Sequence, residues 1–305
     1  MHAKGTEISG TSDSGFAAAV AAALSSDVAI LALGESSDMS GEAASRAFLD
    51  LPGNQQQLLE AVVSTGKPVV LLIFSGRPLV LDWAAQHVSA IMEVWYAGVE
   101  AGPAIADTLF GDVVPSGKLT MSFPRAVGQE PLYYNQLPTG RPIQRADPAH
   151  PGYIEQKFVS RYLDVPNDAL FPFGHGLSYS TFVYSSVSLS TQSISSASLM
   201  HNRKSQPMVA TVTVTNTGKR RATEIVQCYV NIRGASTEQP VRNLKGFARI
   251  TLDPGQTQTV KFPLGFNELS FYNAKVQQVV EPADYTVYIG GSSTATNAAH
   301  FITTP

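Results

Sequence analysis

The first 111 residues alternate between strand-like and helix-like hydrophobic patterns. Three runs have apolar residues at successive positions: DVAILAL (27–33), PVVLLIF (68–74) and AIMEVWY (90–96). Helix-like segments separate or follow them, at 15–26, 54–65, 77–88 and 99–111. Continuous apolar runs indicate strands that are covered on both faces, and their alternation with helices is typical of a parallel sheet. This part of the sequence therefore predicts an α/β domain.

The pattern changes to short strands of alternating polarity from Leu177 onward. Turn signals such as NTGK and DPGQ separate them. The clearest strand-like segments are 208–218, 224–232, 244–252, 258–264 and 284–292. Roughly seven such strands in the last part of the chain predict an antiparallel β-sandwich of the immunoglobulin or fibronectin type III kind.

Three parts of the chain follow from these patterns. We predict an α/β domain over residues 1–124 and a fibronectin type III-like sandwich over 177–305. The segment 125–176 between them is rich in Pro, Gly, Tyr and Arg and has no clear periodicity. A segment of this length without regular structure is typical of a linker or of loops beside a functional site.

A polar loop follows the first predicted strand, in LGESSDMSGEAASRAFLDLP (33–52). It contains Glu35, Asp38, Glu42 and Arg46 among small residues. Ligands of parallel sheets bind beyond the carboxyl ends of the strands, which is where this loop begins. A glutamate in a loop rich in Gly and Ser is nevertheless more often a solvated side chain than a functional group. The residues alone leave both interpretations open.

Composition and charge exclude several function classes. The chain has 305 residues, of which 44% are hydrophobic and 15% charged, enough for two domains with their own cores. A net charge of −3 without a basic run gives no reason to expect nucleic-acid or membrane partners. The apolar segment 17–24 follows Glu7 and Asp13 instead of positive residues, so we expect a helix of the mature fold and no signal peptide in this chain.

Other candidate motifs are weak. GDVVPSGK (111–118) lacks the spacing of a phosphate loop, and Leu119 stands where Ser or Thr would bind magnesium. The six histidines lack the close spacing of metal ligands, and Cys228 is expected to be a buried apolar residue. We therefore predict no metal and no cofactor. The aromatic residues of VWYAG (94–98) and LYYNQ (132–136) suit sugar stacking, although packing is their commoner role.

Several longer stretches together resemble a known family. They occur in this order: GESSDMSGEAASRAFLDLPGNQQQLL, GKPVVLLIFSGRPL, WYAGVEAGPAIADTLFGDVVPSGKLTMSFPR, SRYLDVPNDALFPFGHGLSYSTF and VTVTNTGKR. This series resembles the C-terminal part of glycoside hydrolase family 3, especially the bacterial periplasmic β-glucosidases. The resemblance covers nearly the whole chain.

The resemblance implies an activity and site residues. Family members are similar in having a (β/α)8 barrel, an α/β sandwich domain and often a fibronectin-type domain. They are retaining glycosidases in which a barrel aspartate is the nucleophile and a glutamate of the α/β domain is the general acid/base. By resemblance Glu42 is that acid/base, in the pattern E-A-x-S-R, with Glu35 as the second candidate. Arg46 is expected to orient the loop or to pair with a carboxylate.

The resemblance also implies that part of the site lies elsewhere. The barrel and the start of the α/β domain have no counterpart in these residues, so we expect the nucleophile outside this chain. Asp82 in LVLDWA resembles the barrel's S-D-W motif, but Leu81 replaces the serine and the segment is predicted to be helical. We therefore reject Asp82 as the nucleophile. The isolated chain is expected to be inactive or weakly active.

Three functional interpretations remain open at this point. The chain is the C-terminal portion of a β-glucosidase that removes terminal β-D-glucosyl residues from β-glucosides or oligosaccharides, with xylose as the alternative sugar. Otherwise it is a noncatalytic carbohydrate-contacting or structural module, or an inactive truncated product. The full-length parent is expected to be periplasmic or secreted by resemblance.

Overall fold

The computed structural model describes residues 1–141 and 158–305. The described chain forms two compact units. The first comprises residues 1–110, 123–132 and 168–171, and the second comprises the remaining described residues. Residues of the predicted linker 125–176 occur in both units, and its stretch 142–157 lies outside the described residues.

The first unit contains a parallel three-stranded sheet and confirms the predicted α/β class. Its strands lie in the order β1-β2-β3, and each neighbouring pair is parallel. The strands are β1 (Ala29–Gly34), β2 (Val69–Phe74) and β3 (Ala90–Glu93). The helices are α1 (Phe16–Leu24), α2 (Gln55–Val63), α3 (Asp82–His87) and α4 (Ala101–Phe110), with 3-10 turns at Ser37–Met39 and Val127–Gln129.

In this unit, the agreement between predicted and observed burial is best in the middle strand of the sheet. Leu71 and Ile73 of the middle strand β2 are fully buried, because that strand has a neighbour on each side. Helix α2 buries Leu58, Leu59 and Val62 as one apolar stripe. Strand β1 is less covered than its apolar run predicts, since Ile30 is 49% exposed.

Two predicted elements of this unit are shorter in the structure. The segment 77–88 was predicted to be helical throughout, but α3 begins only at Asp82. Pro78 restricts the residue before it to extended backbone, and Val80 N donates to Leu49 O instead of to a helical carbonyl. The strand predicted over 90–96 ends at Glu93, because Trp95 adopts a left-handed φ of 55°.

The second unit is a β-sandwich, as predicted. One sheet pairs β7 (Met208–Asn216) with β10 (Thr257–Leu264), β4 (Phe182–Tyr184) and β5 (Ser188–Leu189). The other sheet has the order β6 (Ser193–Ser195), β14 (Ala298–Thr304), β13 (Ala283–Gly290), β8 (Ala222–Arg233) and β9 (Asn243–Leu252). Smaller elements are α5 (Ser196–His201), α6 (Phe266–Leu269), β11 (Phe271–Tyr272) and β12 (Gln278–Val279).

The core of the sandwich is built by residues at every second position. In β7 the buried and half-buried residues alternate strictly along nine positions. Such alternation places one face of the sheet on the core. Cys228 of β8 is fully buried in this core, which confirms its expected role, and burial raises the pKa of its thiol to about 12.

Candidate active site

The polar loop begins at the carboxyl edge of the parallel sheet, as the sequence predicts. Strand β1 ends at Gly34, whose φ is 138° and whose hypothetical Cβ would lie 2.0 Å from Phe74 O of β2. Only glycine permits this approach, and it lets Glu35 N donate to Phe74 O at 2.7 Å. The amide of Gln55 on α2 also binds both backbone groups of Gly34, at 2.6 and 2.8 Å. The start of the loop is therefore fixed to the sheet and to a helix.

Glu35 is buried between two arginines. Its side chain has no exposed surface. Arg46 Nη1 lies 2.7 Å from its Oε1, and Arg77 Nε lies 3.2 Å from the same carboxylate. Two guanidinium groups donate charge-assisted hydrogen bonds to a carboxylate and satisfy its lone pairs. The geometry therefore favours a structural role for Glu35.

Arg77 and Arg46 also bind the backbone of the loop. Arg77 Nη2 donates to Met39 O and, at 2.8 Å, to Ala44 O. Arg46 Nη2 donates to Asp50 O at 2.9 Å. Arg77 was not expected at this edge from the sequence, because the pattern of residues 77–88 predicts a helix. The position of SGRP directly after the neighbouring strand was the available signal, since parallel strands end at a common edge.

Glu42 lies on the exposed part of the same loop. Ala44 N donates to Gly41 O at 3.3 Å, so that Glu42 and Ala43 are the central residues of a tight turn. Gly41 has a φ of 107° and Ala43 a φ of 61°, which is an unfavourable conformation for alanine. Glu42 is exposed, and its carboxylate has no hydrogen bond or ion pair with any residue in the described part of the chain. It is therefore available to a ligand.

Glu93 is a further acidic residue at this edge that the sequence analysis missed. It ends β3, and its Oε1 accepts hydrogen bonds from Trp95 N at 3.0 Å and from Ser75 Oγ at 3.3 Å. Its Oε2 is buried and has no hydrogen-bond partner among the described residues. Burial raises the pKa of Glu93 to about 7, and the nearby Glu35 charge adds to the rise against the lowering effect of the hydrogen bonds. An acidic residue at the end of an apolar strand was the sequence signal.

The aromatic residues of VWYAG pack within the first unit. Trp95 contacts the ring of Phe123 edge-on, with 5.9 Å between ring centroids. The hydroxyl of Tyr96 donates to Ser36 O at 2.8 Å, and its ring lies close to Gly76. In the second unit, Tyr134 of LYYNQ stacks on Phe173 at 4.2 Å. These contacts support the packing interpretation of the residues involved.

Asp82 is separate from the loop. It is the first residue of α3 and pairs with Arg125 Nη1 at 2.8 Å. Within residues 1–141 and 158–305, no group of three or more His, Cys, Asp or Glu side chains is arranged to bind a metal ion. Over the same residues, no helix has the length and apolarity needed to cross a membrane.

Comparison with known protein families shows which family the chain belongs to. The profile of the Glycosyl hydrolase family 3 C-terminal domain matches residues 3–179, more than half of the chain. The chain belongs to glycoside hydrolase family 3. A second profile, the Fibronectin type III-like domain, matches residues 224–293. The resemblance seen in the sequence is thereby confirmed.

Relatives of this family 3 chain include named glycosidases. The Periplasmic beta-glucosidase of Salmonella typhimurium is 44% identical over 283 residues, which are 93% of this chain and 35% of the relative. A Beta-xylosidase of Formosa agariphila is 43% identical over 294 residues, which are 96% of this chain and 38% of the relative. The chain thus spans little more than a third of the length of these relatives.

A solved β-glucosidase structure shares the fold of this chain. The β-glucosidase from Listeria innocua in complex with glucose superposes with a TM-score of 0.89 and 38% identity. The superposition covers 98% of this chain and 40% of the other. The family 3 fold of the chain is therefore shared with a glycosidase that is more than twice as long.

Proposed function

We propose that this chain is the C-terminal portion of a retaining β-glucosidase and that Glu42 is its general acid/base. The main supporting observation is the contrast between the two glutamates of the loop. Glu35 is buried and paired with two arginines, whereas Glu42 is exposed and its carboxylate is free. Only Glu42 can present a carboxyl group to a glycosidic oxygen without disrupting the loop.

The mechanism requires two carboxyl groups about 5–5.5 Å apart. In the first step a nucleophilic carboxylate attacks the anomeric carbon while Glu42 donates its proton to the departing oxygen. In the second step Glu42 accepts a proton from the water that attacks the glycosyl-enzyme. The nucleophile belongs to a (β/α)8 barrel that lies outside these residues. The α/β part, 1–124, contributes the acid/base, and the sandwich, 177–305, serves as a scaffold.

The proposed substrate is a β-glucoside or β-linked oligosaccharide. Relatives named as β-glucosidases support glucose, and the relative named as a β-xylosidase makes xylose the alternative. The name of the Salmonella relative supports a periplasmic location for the full-length protein.

A hybrid enzyme tests this proposal. Residues 1–305 replace the matching C-terminal segment of the Salmonella β-glucosidase, and hydrolysis of aryl β-glucosides and β-xylosides is measured. Glu42→Gln is expected to reduce kcat/KM by about 10²–10⁴-fold, the usual contribution of general acid–base catalysis. The matched control is Glu100→Gln, at an exposed glutamate outside the loop, which is expected to leave the rate unchanged.

Chemical rescue identifies the role of Glu42 more specifically. In Glu42→Ala, azide is expected to restore turnover and to give the β-glycosyl azide, because a small anion enters the space left by the acid/base and attacks the glycosyl-enzyme. A folded hybrid in which Glu42→Gln keeps the parental rate would exclude Glu42. A folded hybrid without activity on any of the substrates would favour the noncatalytic module.

A further inference from the structure

We infer that Arg77 is a positioning residue for the acid/base, because its guanidinium joins the buried Glu35 to both sides of the turn that contains Glu42. This inference rests on the proposed function of Glu42. We call residues 37–50 the Glu42 loop.

The guanidinium of Arg77 binds three groups at once. Nη2 has two hydrogens, and it donates to Met39 O before the turn and to Ala44 O after it. Nε lies 3.2 Å from the Glu35 carboxylate. A planar guanidinium directs its donors along fixed directions, so these contacts set the separation and orientation of the two ends of the turn. A lysine ammonium cannot reproduce this geometry.

Arg77 and Glu35 both lie just beyond strands of the parallel sheet. Glu35 follows β1 directly and is bonded to β2 through its own backbone. Arg77 itself follows β2, and Ser75 Oγ donates to its carbonyl oxygen at 2.9 Å. The loop also packs against Gly76, where a Cβ would lie 2.0 Å from Ser40 Oγ. These contacts therefore fix the position of the turn relative to two strands of the sheet, β1 and β2.

Glu42 has no comparable contact of its own. Its side chain has no partner among the described residues, so the fold controls the carboxyl group only through the position of the Glu42 backbone. Displacement of a catalytic group by about 1 Å is enough to reduce a rate by roughly 10²-fold. Loosening the turn is therefore expected to impair proton transfer even though Arg77 does not touch the reacting atoms.

Leaving-group dependence distinguishes a positioning role from a merely structural one. Aryl glucosides with acidic phenols, such as 2,4-dinitrophenyl, need little protonation, whereas phenyl glucoside needs the general acid. In the hybrid enzyme, Arg77→Lys is expected to reduce kcat/KM for phenyl glucoside by roughly tenfold or more and for dinitrophenyl glucoside by much less. Glu42→Gln should show the same trend with a larger amplitude. Arg221→Lys, at an exposed arginine of the sandwich, is the matched control and should change neither rate.

Hydrogen exchange tests the same inference in chain 1–305 without any need for activity. The amides of Met39 and Ala44, which donate to Ser36 O and Gly41 O, are expected to exchange at least several-fold faster in Arg77→Lys, while those of β2 and the sandwich keep their protection. In Arg77→Ala, guanidinium ion at tens of millimolar should restore protection, because it fills the space of the missing side chain. Arg77→Gln serves as a second variant if Arg77→Lys melts below the assay temperature.

The outcomes separate this inference from the proposed function. If Glu42→Gln is inactive but Arg77→Lys loses equally with all leaving groups, or loses nothing, the positioning role is wrong and the acid/base assignment stands. Unchanged exchange of the Met39 and Ala44 amides also overturns it. If Glu42→Gln keeps its activity, the acid/base assignment fails first, and the positioning role fails with it.

Discussion

Glu35 and Glu42 belong to the same loop but have opposite environments. The difference arises because Glu35 follows β1 directly and pairs with two arginine side chains, whereas Glu42 lies in an exposed turn between two backbone groups, Met39 O and Ala44 O, that Arg77 binds. Removing a buried carboxylate whose partners are charged destabilises the fold. An exposed carboxylate without partners contributes little to stability and is free for chemistry.

The first prediction concerns Glu35→Gln. It leaves two partly buried guanidinium groups without their counter-charge, so we expect a loss of about 3 kcal/mol in the free energy of unfolding. Glu42→Gln should change that quantity by less than about 0.5 kcal/mol. Urea denaturation followed by tryptophan fluorescence measures both, because the two tryptophans, Trp83 and Trp95, belong to the first unit. Equal stability of the two variants would contradict the structural role of Glu35.

The second prediction concerns the pH dependence caused by Glu93. Its folded pKa of about 7 lies above the ordinary value of 4.5, so the folded state keeps a proton that the unfolded state has lost between these pH values. The stabilising contribution of Glu93 is therefore complete below about pH 4.5 and falls as pH rises to about 7. Glu93→Gln removes this fall.

The measurement for Glu93 is urea denaturation at several pH values. The stability of Glu93→Gln relative to the parent should become more favourable by about 3 kcal/mol between pH 4 and pH 8. Glu60→Gln, on the exposed side of α2, is the control and should show no such trend. A difference that stays constant with pH would show that the pKa of Glu93 is the same in the folded and unfolded states.

At the scale of elements, the sequence predicts the presence of a strand more accurately than the residues at which an element begins and ends. The apolar run of β2 and the alternation of β7 give the observed strands because each pattern reports which faces are buried. The helix predicted from Arg77 was wrong over its first five residues, where Pro78 and a contact to Leu49 O decide the backbone. Because of this error, Arg77 was not recognised as a residue that follows the end of β2.

The third prediction concerns the junction of β1 and the loop. Gly34→Ala places a Cβ against Phe74 O at a φ of 138°, so we expect a loss of at least about 3 kcal/mol from clash and backbone strain together. Gly66→Ala is the matched control, since its φ is also positive, at 74°, but no atom lies within 4 Å of the added Cβ. It should cost about 1 kcal/mol. Similar melting temperatures of the two variants would contradict the close approach of the strands.

At the scale of the whole molecule, the proposed function divides the active site between this chain and a barrel outside these residues. The chain covers 35% of the Salmonella relative, and its two units contain the proposed acid/base and a sandwich. A retaining mechanism needs a second carboxylate, and Asp82 is occupied by Arg125. Catalysis is therefore expected to depend on the barrel.

The fourth prediction tests this division. A 2-deoxy-2-fluoro-β-glucosyl fluoride forms a stable ester with the nucleophile of a retaining glucosidase. Intact-mass measurement should find the added fluoroglucosyl group in the hybrid enzyme and no addition to chain 1–305 alone. Peptide mapping of the labelled hybrid should find the group on a peptide from the Salmonella portion. Labelling of any residue of chain 1–305 would show that the nucleophile lies within it.

Sequence by itself determined the two fold classes and the family, and it predicted the loop in which chemistry is expected. Hydrophobic periodicity is a local property that reports burial directly, and the family motifs are specific enough to be recognised without a structure. Glu42 as acid/base came from the resemblance alone and remains a prediction. Only the tertiary structure distinguished the buried Glu35 from the exposed Glu42 and brought Arg77 and Glu93 to the same edge. The reason is that their partners are distant in sequence: Arg77 and Glu35 are separated by 42 positions, and only the pairing of parallel strands brings such residues into contact.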